Sequence, residues 1–244
     1  MASHVLEARG LSKAFGGLLA VAEVDLAVAE GEALGIAGPN GSGKSTLFNL
    51  LTKVPFAADS GTVLLDGRPL DSVPAHAIAR LGVARTFQRE SVFPSLSAID
   101  NVLLAAEGSR KARGFAARLR LAERALDGAG FPATLHNALA GQLPVFLRKL
   151  VMIASALALE PRVLLLDEPA SSLTPQEIER IRALIARLLD SGMTILLIEH
   201  VLPLLTAVSH RLIVMDQGAV IASGTPAEVI ANPAVVEAYL GKKT

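Results

Sequence analysis

Cysteine and tryptophan are absent from this chain of 244 residues, and aromatic residues make up only 4% of it. Without cysteine, neither disulfide bonds nor a thiolate metal site can stabilise the fold. A chain of this length can bury a substantial core without such cross-links. Because aromatic rings are scarce, aliphatic side chains have to build that core, which suits a buried parallel sheet covered by helices.

The sequence also lacks an excess of charge of either sign, because 23 basic side chains are balanced by 23 acidic ones. Domains that bind nucleic acid usually carry a basic excess, so we expect no nucleic-acid partner. Basic residues do cluster between positions 110 and 120. We expect this cluster to form a solvated helix face.

No stretch of the sequence is long and apolar enough to span a membrane. The longest apolar run, Leu150–Leu159, is about half as long as a bilayer-spanning helix must be. Residues 1–10 lack the basic start and the apolar segment of a signal peptide. We therefore expect that the chain does not cross a membrane itself, and that any membrane role depends on a partner.

Apolar runs of strand length alternate with segments of helical spacing, which predicts an α/β fold. Such runs occur at Glu32–Ala37, Val163–Leu166 and Thr194–Ile198. Between the last two runs lies a helical pattern, Pro175–Leu189, so this part reads as a parallel strand–helix–strand unit. The other predicted elements are the strands Val5–Phe15, Val21–Val28 and Thr62–Leu65, a helix at Ser45–Leu51, a mostly helical stretch at Val92–Leu157 with Ser97 as a helix cap, a hairpin of Leu212–Asp216 and Val220–Ala222, and a closing helix at Glu228–Leu240.

The segment Gly38–Thr46 fits the pattern G-x-x-x-x-G-K-S/T of a phosphate-binding loop between a strand and a helix. Its glycines let backbone N–H groups turn inward around a phosphate, and the helix N-terminus favours an anion. Lys44 can reach the β- and γ-phosphates, and Ser45 can ligate Mg²⁺. A glycine turn that matches by chance is the alternative. The predicted nucleotide-binding residues of this loop are Gly38, Pro39, Asn40, Gly41, Ser42, Gly43, Lys44, Ser45 and Thr46.

The apolar run from Val163 ends in two carboxylates, Asp167 and Glu168. Ligands bind at the carboxyl ends of the strands in open α/β sheets. Asp167 suits the Mg²⁺ shell, and Glu168 can polarise an attacking water as a general base. Two acids after a strand can also be helix caps, but together with the phosphate-binding loop they indicate a P-loop NTPase.

Further motifs resemble those of the ATP-binding cassette (ABC) family over nearly the whole chain. Thr86–Gln88 resembles the Q-loop of the family, Glu199–His200 its H-loop and Ser171–Thr174 its D-loop. Thr174 departs from the acidic residue or Asn that is usual at its position. Phe15 lies where the family stacks an aromatic ring on adenine.

The resemblance implies an α/β fold, a P-loop NTPase ABC cassette with a mostly parallel core sheet, an antiparallel β subdomain and an inserted helical subdomain. It implies a single domain over residues 1–244, with the helical insert at about 92–157. ATP and Mg²⁺ are the implied cofactors. Gln88 would contact Mg²⁺ and the water and sense the membrane partner, while His200 would bond the γ-phosphate. Phe15 can instead be a core aromatic, Gln88 a surface residue and His200 a structural residue.

One branch of the family is the most similar. Residues 15–18 and 84–88, the triplet at 198–200 and the endings 224–226 and 237–241 resemble uptake systems for branched-chain amino acids and related urea or amide importers. Within this branch the chain resembles the first ATPase subunit of a nonidentical pair. The implied partners are membrane permease subunits, a second ABC ATPase subunit and, indirectly, a substrate-binding protein. The implied location is the cytoplasmic face of the inner membrane.

The sequence departs from the family at its signature, a Leu-Ser-Gly-Gly-Gln run that opens a helix and faces the ATP of the other subunit. Counting back from Asp167 places this run at residues 143–147, which read Leu-Pro-Val-Phe-Leu. Pro144 lacks the serine hydroxyl, and Phe146 is expected to put a ring where the phosphate should come close. A fragment at 139–142 is the alternative signature, but it requires an insertion.

We therefore predict an asymmetric pair of cassettes with one competent and one weak hydrolysis site. The chain itself is expected to be an ATPase that powers an importer. Two alternatives remain open at this point: a largely non-hydrolysing ATP-binding subunit, and a non-transport ABC protein that acts on ribosomes or DNA. Such proteins usually have two cassettes or a coiled coil and tend to be basic. A small-molecule kinase would not explain Gln88, Glu168 and His200 together.

Overall fold

A computed structural model of the chain describes residues 4–88, 91–109 and 111–240. Arg110 of the basic cluster and Gly241 of the C-terminal motif lie outside these residues. The strands in this part of the chain are β1 (His4–Phe15), β2 (Leu18–Ala29), β3 (Ala33–Ala37), β4 (Ser60–Leu65), β5 (Arg68–Pro69), β6 (Val83–Arg85), β7 (Val163–Asp167), β8 (Thr194–Ile198), β9 (Arg211–Asp216) and β10 (Ala219–Gly224).

Helices fill most of the connections between the strands. The α-helices of the described residues are α1 (Lys44–Thr52), α2 (Ala75–Ile78), α3 (Ala98–Ala106), α4 (Phe115–Gly128), α5 (Val145–Leu157), α6 (Pro175–Asp190), α7 (Leu202–Val208), α8 (Pro226–Ile230) and α9 (Pro233–Leu240). None of these helices has both the length and the apolar character that crossing a membrane requires.

The larger sheet has six strands in the order β10-β9-β3-β8-β7-β6. All its pairings are parallel except that of β10 with β9. Every residue of β3, β7 and β8 is buried, as expected for strands that are covered on both faces. These three strands are parallel, so their carboxyl ends, at Ala37, Asp167 and Ile198, lie at the same edge of the sheet.

The two faces of this sheet contribute to two hydrophobic cores. Along β7, Leu164 and Leu166 join a core with the inserted helices, whereas Val163 and Leu165 join a core with α1 and the smaller sheet. The smaller sheet is antiparallel, in the order β2-β1-β4-β5. The fully buried Phe48 of α1 belongs to the core on this side. The mostly parallel sheet, the antiparallel sheet and the helical stretch predicted from the sequence are therefore all present.

The helices between β6 and β7 pack on one another. Ser97 caps α3 as predicted, because its hydroxyl accepts a hydrogen bond from the backbone N–H of Asp100 at 3.2 Å. The side chain of Asn101 donates to the backbone oxygen of Phe93 at 3.1 Å and ties the preceding loop to the same helix. These contacts hold the start of α3 to the loop that precedes it.

The structure differs from the predicted elements at the closing helix and at short elements such as β6. The prediction of one closing helix at Glu228–Leu240 was wrong. The segment forms two helices, α8 and α9, which are separated at Ala231 and Asn232. Pro233 lacks a backbone N–H and disfavours helical geometry at the residue before it, which ends the first helix. The short strand β6 was not predicted, since a run of three residues carries too little periodicity to identify a strand.

Candidate functional site

The phosphate-binding loop connects the buried strand β3 to α1, and two of its glycines are required by close packing. Gly38 has φ 143°, and a Cβ there would come within 2.2 Å of the backbone oxygen of Met215. Gly43 has φ 102°, and its Cβ would come within 2.3 Å of the backbone oxygen of Ala20. A larger residue at either position would displace backbone rather than a flexible side chain, so the shape of the loop requires glycine at both positions.

Lys44 is the first residue of α1, and its side chain folds back over the loop. Its Nζ donates to the backbone oxygens of Gly38 at 2.8 Å and Pro39 at 2.9 Å. Burial lowers the pKa of the Lys44 ammonium, and the nearby carboxylates of Glu168 and Asp167 oppose that shift. The Nζ of Lys44 also lies 3.4 Å from the hydroxyl of Ser42, so the hydrogen bonds of this buried cation go to neutral oxygens, which leaves its charge suited to bind an anionic phosphate.

The C-terminal helix α9 reaches the beginning of this loop. The backbone N–H of Gly38 donates to the hydroxyl of Tyr239 at 2.7 Å. Burial raises the pKa of Tyr239, and the hydrogen bond from Gly38 opposes that shift. Because Gly38 is itself buried, this hydroxyl satisfies an N–H group that water does not reach freely.

Asp167 ends β7 beneath the loop and is paired with Arg85 of β6. The guanidinium Nη2 of Arg85 donates to Asp167 Oδ2 at 2.7 Å, and its Nη1 donates to Asn49 Oδ1 at 2.7 Å. Burial raises the pKa of Asp167, and the hydrogen bond from Arg85 opposes this effect. The second oxygen of Asp167, Oδ1, is buried without a hydrogen-bond partner.

The three predicted catalytic residues are in direct contact. Glu168 lies at the centre, with Oε1 at 2.8 Å from Nε2 of His200 and Oε2 accepting a hydrogen bond from Nε2 of Gln88 at 3.0 Å. The side chain of Glu168 is 10% exposed and that of His200 is 40% exposed. A nearly buried carboxylate therefore faces an accessible imidazole, an arrangement that can position a water and accept its proton.

These groups line one open cavity of about 820 Å³. Phe15 lies at its rim beside Leu18, and the ring of Phe15 is 44% exposed. Phe15 packs edge to face against Phe56, with the ring centroids 5.0 Å apart. The predicted site residues at the cavity wall are Phe15, Asn40, Gly41, Ser42, Gly43, Lys44, Ser45, Thr46, Gln88, Glu168 and His200.

The residues predicted to hold Mg²⁺ fit a hard cation. Ser45 supplies a hydroxyl, Asp167 a carboxylate and Gln88 an amide oxygen, and oxygen ligands of these kinds are those that Mg²⁺ prefers. The buried Oδ1 of Asp167 is an acceptor to which no group of the described residues donates. Within the described residues no three His, Cys, Asp or Glu side chains come together as a metal site.

The signature segment differs from the expectation for Phe146. Its ring does not project from the start of α5: it is 7% exposed, belongs to the core and lies 5.7 Å from the guanidinium of Arg180. The prediction that this ring blocks a phosphate was therefore wrong. The loss of the hydroxyl remains, because α5 begins after Pro144 without a side-chain cap. The alternative fragment lies in a 3₁₀ turn, Ala140–Gln142, before the helix.

Two buried residues near the site were not predicted from the sequence. Arg85 entered the sequence prediction only as a member of the motif at residues 84–88, although a basic residue directly before Thr86-Phe87-Gln88 can pair with the acid that ends the neighbouring strand. Glu199 was noted only for its place before His200. Burial raises the pKa of Glu199, and hydrogen bonds from the backbone N–H groups of Ala170, Val201 and His200 oppose that shift.

The histidines without a motif lie outside the cavity. His210, for example, accepts a hydrogen bond from the backbone N–H of Ala33 at 2.9 Å, at the opposite end of β3 from the phosphate-binding loop. This contact ties the start of β9 to β3. It supports the structural role that the sequence suggested for His210.

Two family models match this chain. The model of the ABC transporter matches residues 21–171, and that of the branched-chain amino acid ATP-binding cassette transporter matches residues 219–243. Among curated proteins, the high-affinity branched-chain amino acid transport ATP-binding protein BraF of Pseudomonas aeruginosa is 38% identical, over 99% of this chain and 100% of its own length. LivG of Escherichia coli, described in the same words, is also 38% identical with the same coverage.

A relative with another described role is less similar. The lipopolysaccharide export system ATP-binding protein LptB of Escherichia coli is 33% identical over 97% of each chain. Among solved structures, a nucleotide-free ATP-binding cassette from an ABC transporter superposes with a TM-score of 0.87, at 28% identity and over 98% of this chain and 100% of its own. A dimeric cassette in a post-hydrolysis state with ADP and Pi gives a TM-score of 0.82, at 26% identity and over 91% and 98%.

Proposed function

The chain belongs to the ABC transporter family, and we propose that it is the ATP-hydrolysing subunit of an importer for branched-chain amino acids. The full-length similarity to BraF and LivG and the match at residues 219–243 support the choice of substrate class. The observation that carries the hydrolytic role is the contact of Glu168 with His200 and Gln88 at the wall of the cavity behind the phosphate-binding loop.

In this proposal the loop Gly38–Thr46 binds the phosphates of ATP through its backbone N–H groups and Lys44. Phe15 stacks on the adenine at the rim of the cavity. Ser45, Asp167 and Gln88 would hold Mg²⁺, which would supply positive charge that stabilises the negative charge on the transferred phosphoryl group. The glycine-dependent shape of the loop and the cation of Lys44 support this assignment, because together they offer backbone N–H groups and a positive charge to an anion.

Glu168 acts as the general base. Its carboxylate takes a proton from the attacking water as the water oxygen bonds to the γ-phosphorus, and the bond from that phosphorus to the bridging oxygen breaks to release ADP. His200 donates a hydrogen bond to the γ-phosphate and orients the water. Gln88, whose amide already donates to Glu168, reports the state of this site to a membrane partner.

The proposed assembly contains permease subunits, a second ABC ATPase subunit and, indirectly, a substrate-binding protein. The chain would lie at the cytoplasmic face of the inner membrane, as a single domain over residues 1–244 with a helical insert at about 92–157. The start of α5 after Pro144, which has no side-chain cap, supports the proposal that the second cassette has a different sequence. That cassette would supply the hydroxyl and glycines that this chain lacks, while the site opposite Pro144 would hydrolyse ATP poorly.

Uptake by a reconstituted transporter tests the proposal. Vesicles that contain this chain, the permease, the second cassette and the binding protein should accumulate labelled leucine but not labelled glutamate when ATP is supplied. Lys44→Ala should lower uptake and ATP hydrolysis roughly 100-fold or more, because a charge that stabilises the transferred phosphoryl group is lost. Lys111→Ala is the matched control, since the side chain of Lys111 is 77% exposed.

Two results would contradict the proposal. Uptake of glutamate in preference to leucine would refute the substrate class and leave the hydrolytic role intact. Unchanged ATP hydrolysis by Lys44→Ala would refute the assignment of the phosphate-binding loop itself.

A further inference from the structure

The proposed catalytic base has an unusual backbone conformation. Glu168 has φ 51°, in the left-handed region that residues with a side chain rarely adopt. Such a conformation persists only where the surrounding structure holds it in place, and it is concentrated at functional sites. The contacts that hold Glu168 therefore bear directly on where its carboxylate points.

Hydrogen bonds from several elements hold the turn at residues 168–171. The backbone N–H of Glu168 donates to the backbone oxygen of Ile198 at 2.9 Å. The ammonium of Lys149, on α5, donates to the backbone oxygen of Glu168 at 3.0 Å and to the hydroxyl of Ser171 at 3.0 Å. The backbone N–H of Ala170, two residues after Glu168, donates to Glu199 Oε1 at 2.6 Å.

Glu199 also holds the segment that carries His200. Its second oxygen, Oε2, accepts the backbone N–H groups of His200 at 3.1 Å and Val201 at 3.4 Å. The residue is 1% exposed, so water cannot replace these contacts. One buried carboxylate thus receives N–H groups from both of the segments whose side chains meet at Glu168 and His200.

We propose that Glu199 is a positioning residue that holds Glu168 and His200 in register for ATP hydrolysis, with Lys149 holding the other side of the same turn. This inference depends on the role of Glu168 in the proposed function. Glu199 touches neither the cavity nor the phosphates. It acts through the backbone of residues 168–170 and 200–201.

The charge state of the side chain matters because every partner of Glu199 is a donor. A carboxylate offers two acceptor oxygens, one for Ala170 and one for His200 and Val201. An amide at position 199 would turn an N–H₂ group toward one of these backbone N–H groups, so one of the two segments would lose its partner. Glu199→Asp keeps both oxygens but withdraws them by one methylene group.

The experiment compares Glu199→Gln and Glu199→Asp with Glu32→Gln in the assembled transporter. Glu32 is a suitable control because its carboxylate also accepts a backbone N–H, that of Ala29 at 2.7 Å, and pairs with Arg211 at 2.9 Å. It precedes β3, at the opposite end of the sheet from the site. Steady-state hydrolysis gives kcat and KM for ATP, and thermal unfolding gives the effect on stability.

Both variants at position 199 should lower kcat by about 10–100-fold, because a displaced base is poorly aligned with the water, and should leave KM within about 2-fold. The Glu32→Gln control should leave kcat and KM unchanged. In a Glu168→Gln background, Glu199→Gln should cause no further loss of the residual single-turnover rate, because residues that act as a unit are not additive.

Each contrary result has a distinct meaning. Unchanged kcat in both variants at position 199 would overturn this inference alone, as would an equal fall of kcat in the Glu32→Gln control. An additive loss in the Glu168→Gln background would show that Glu199 acts independently of Glu168 and would also overturn it. Full activity of Glu168→Gln by itself would refute both this inference and the proposed role of Glu168.

Discussion

At the scale of single residues, buried charges organise the edge of the sheet beneath the phosphate-binding loop. The side chains of Arg85 and Asp167 are 6% and 1% exposed and form an ion pair. Arg85 also lies against the rings of Phe48 and Phe87, so it links β6 to α1 and to the residue before Gln88. Removing one partner of such a pair leaves an uncompensated buried charge, which costs far more than the loss of a surface pair.

Arg85→Met is therefore expected to lower the free energy of unfolding by about 3–5 kcal/mol. Arg182→Met is the control, because the pair of Arg182 with Glu179 is on the surface, with side chains 44% and 62% exposed, and should change stability by less than about 1 kcal/mol. Urea denaturation measures both values. Equal effects of the two substitutions would show that the buried pair does not stabilise the sheet edge.

A second prediction at this scale concerns the hydroxyl of Tyr239. Tyr239→Phe removes the acceptor for the buried N–H of Gly38, and an unsatisfied buried donor costs about 1–3 kcal/mol. Because this N–H begins the phosphate-binding loop, we expect weaker ATP binding by roughly 5-fold or more, measured by titration calorimetry. Glu237→Gln, an exposed change on the same helix, should leave the Kd unchanged. A Kd for Tyr239→Phe equal to that of the unaltered chain would refute the link between α9 and the loop.

At the scale of secondary-structure elements, two helices begin with the same device. Thr174 caps α6 and Thr225 caps α8, each in a capping box with a glutamate three residues later. Hydrogen bonds from the threonine backbone N–H lower the pKa of Glu177 and of Glu228. A carboxylate whose pKa is lowered on folding adds stability that is present above its unfolded pKa and is lost as the pH falls through its folded pKa.

Thr174→Ala should lower the free energy of unfolding by about 1 kcal/mol at neutral pH. The difference in the free energy of unfolding between this variant and the unaltered chain should become smaller as the pH falls through the folded pKa of Glu177. The reason is that the protonated carboxyl of Glu177 accepts hydrogen bonds from Thr174 less strongly. Thr206→Ala, at a half-buried position within α7 that caps no helix, is the control and should have little effect. A constant difference at all pH values would show that Glu177 does not contribute to the cap.

Another prediction at this scale concerns Phe146, the second residue of α5. Phe146 is 7% exposed and packs in the core under Arg180, so Phe146→Ala should lower the free energy of unfolding by about 3–5 kcal/mol. Thermal unfolding checks this value. A loss below about 1 kcal/mol would mean that the ring is not part of the core. A signature-restoring variant should therefore change Pro144→Ser, which adds a capping hydroxyl, and should keep Phe146.

The elements differ in how far their sequences predict them. The strands β3, β7 and β8 were predictable because continuous apolar runs of this length are buried on both faces. The loop Gly38–Thr46 was predictable because its spacing follows from phosphate chemistry. The inward direction of the Phe146 ring was not, because it depends on the packing of α5 against α6, and side-chain direction is set by tertiary contacts. The convergence of Glu199 on Ala170 likewise depends on the pairing of β7 with β8, which brings distant residues together.

At the scale of the whole molecule, the proposed ATP-facing residues meet at one cavity, whereas the proposed signature segment lacks a capping hydroxyl. Lys44, Glu168 and His200 surround one cavity, whereas α5 begins without a capping hydroxyl. We therefore expect ATP hydrolysis at a normal rate to require a second cassette of different sequence. We propose an asymmetric pair for this reason, since a second copy of the chain would bring the same segment without a capping hydroxyl to each site.

The most direct test is the rate of ATP hydrolysis by the purified chain, alone and mixed with a second cassette that carries an intact signature. We expect the chain alone to bind Mg-ATP but to hydrolyse it roughly 100-fold more slowly than the mixture, because phosphate-binding donors are missing from its own signature segment. Glu168→Gln in the mixture should abolish the gain. Hydrolysis by the chain alone at the rate of the mixture would contradict the account and would point to the fragment at residues 139–142 as a working signature.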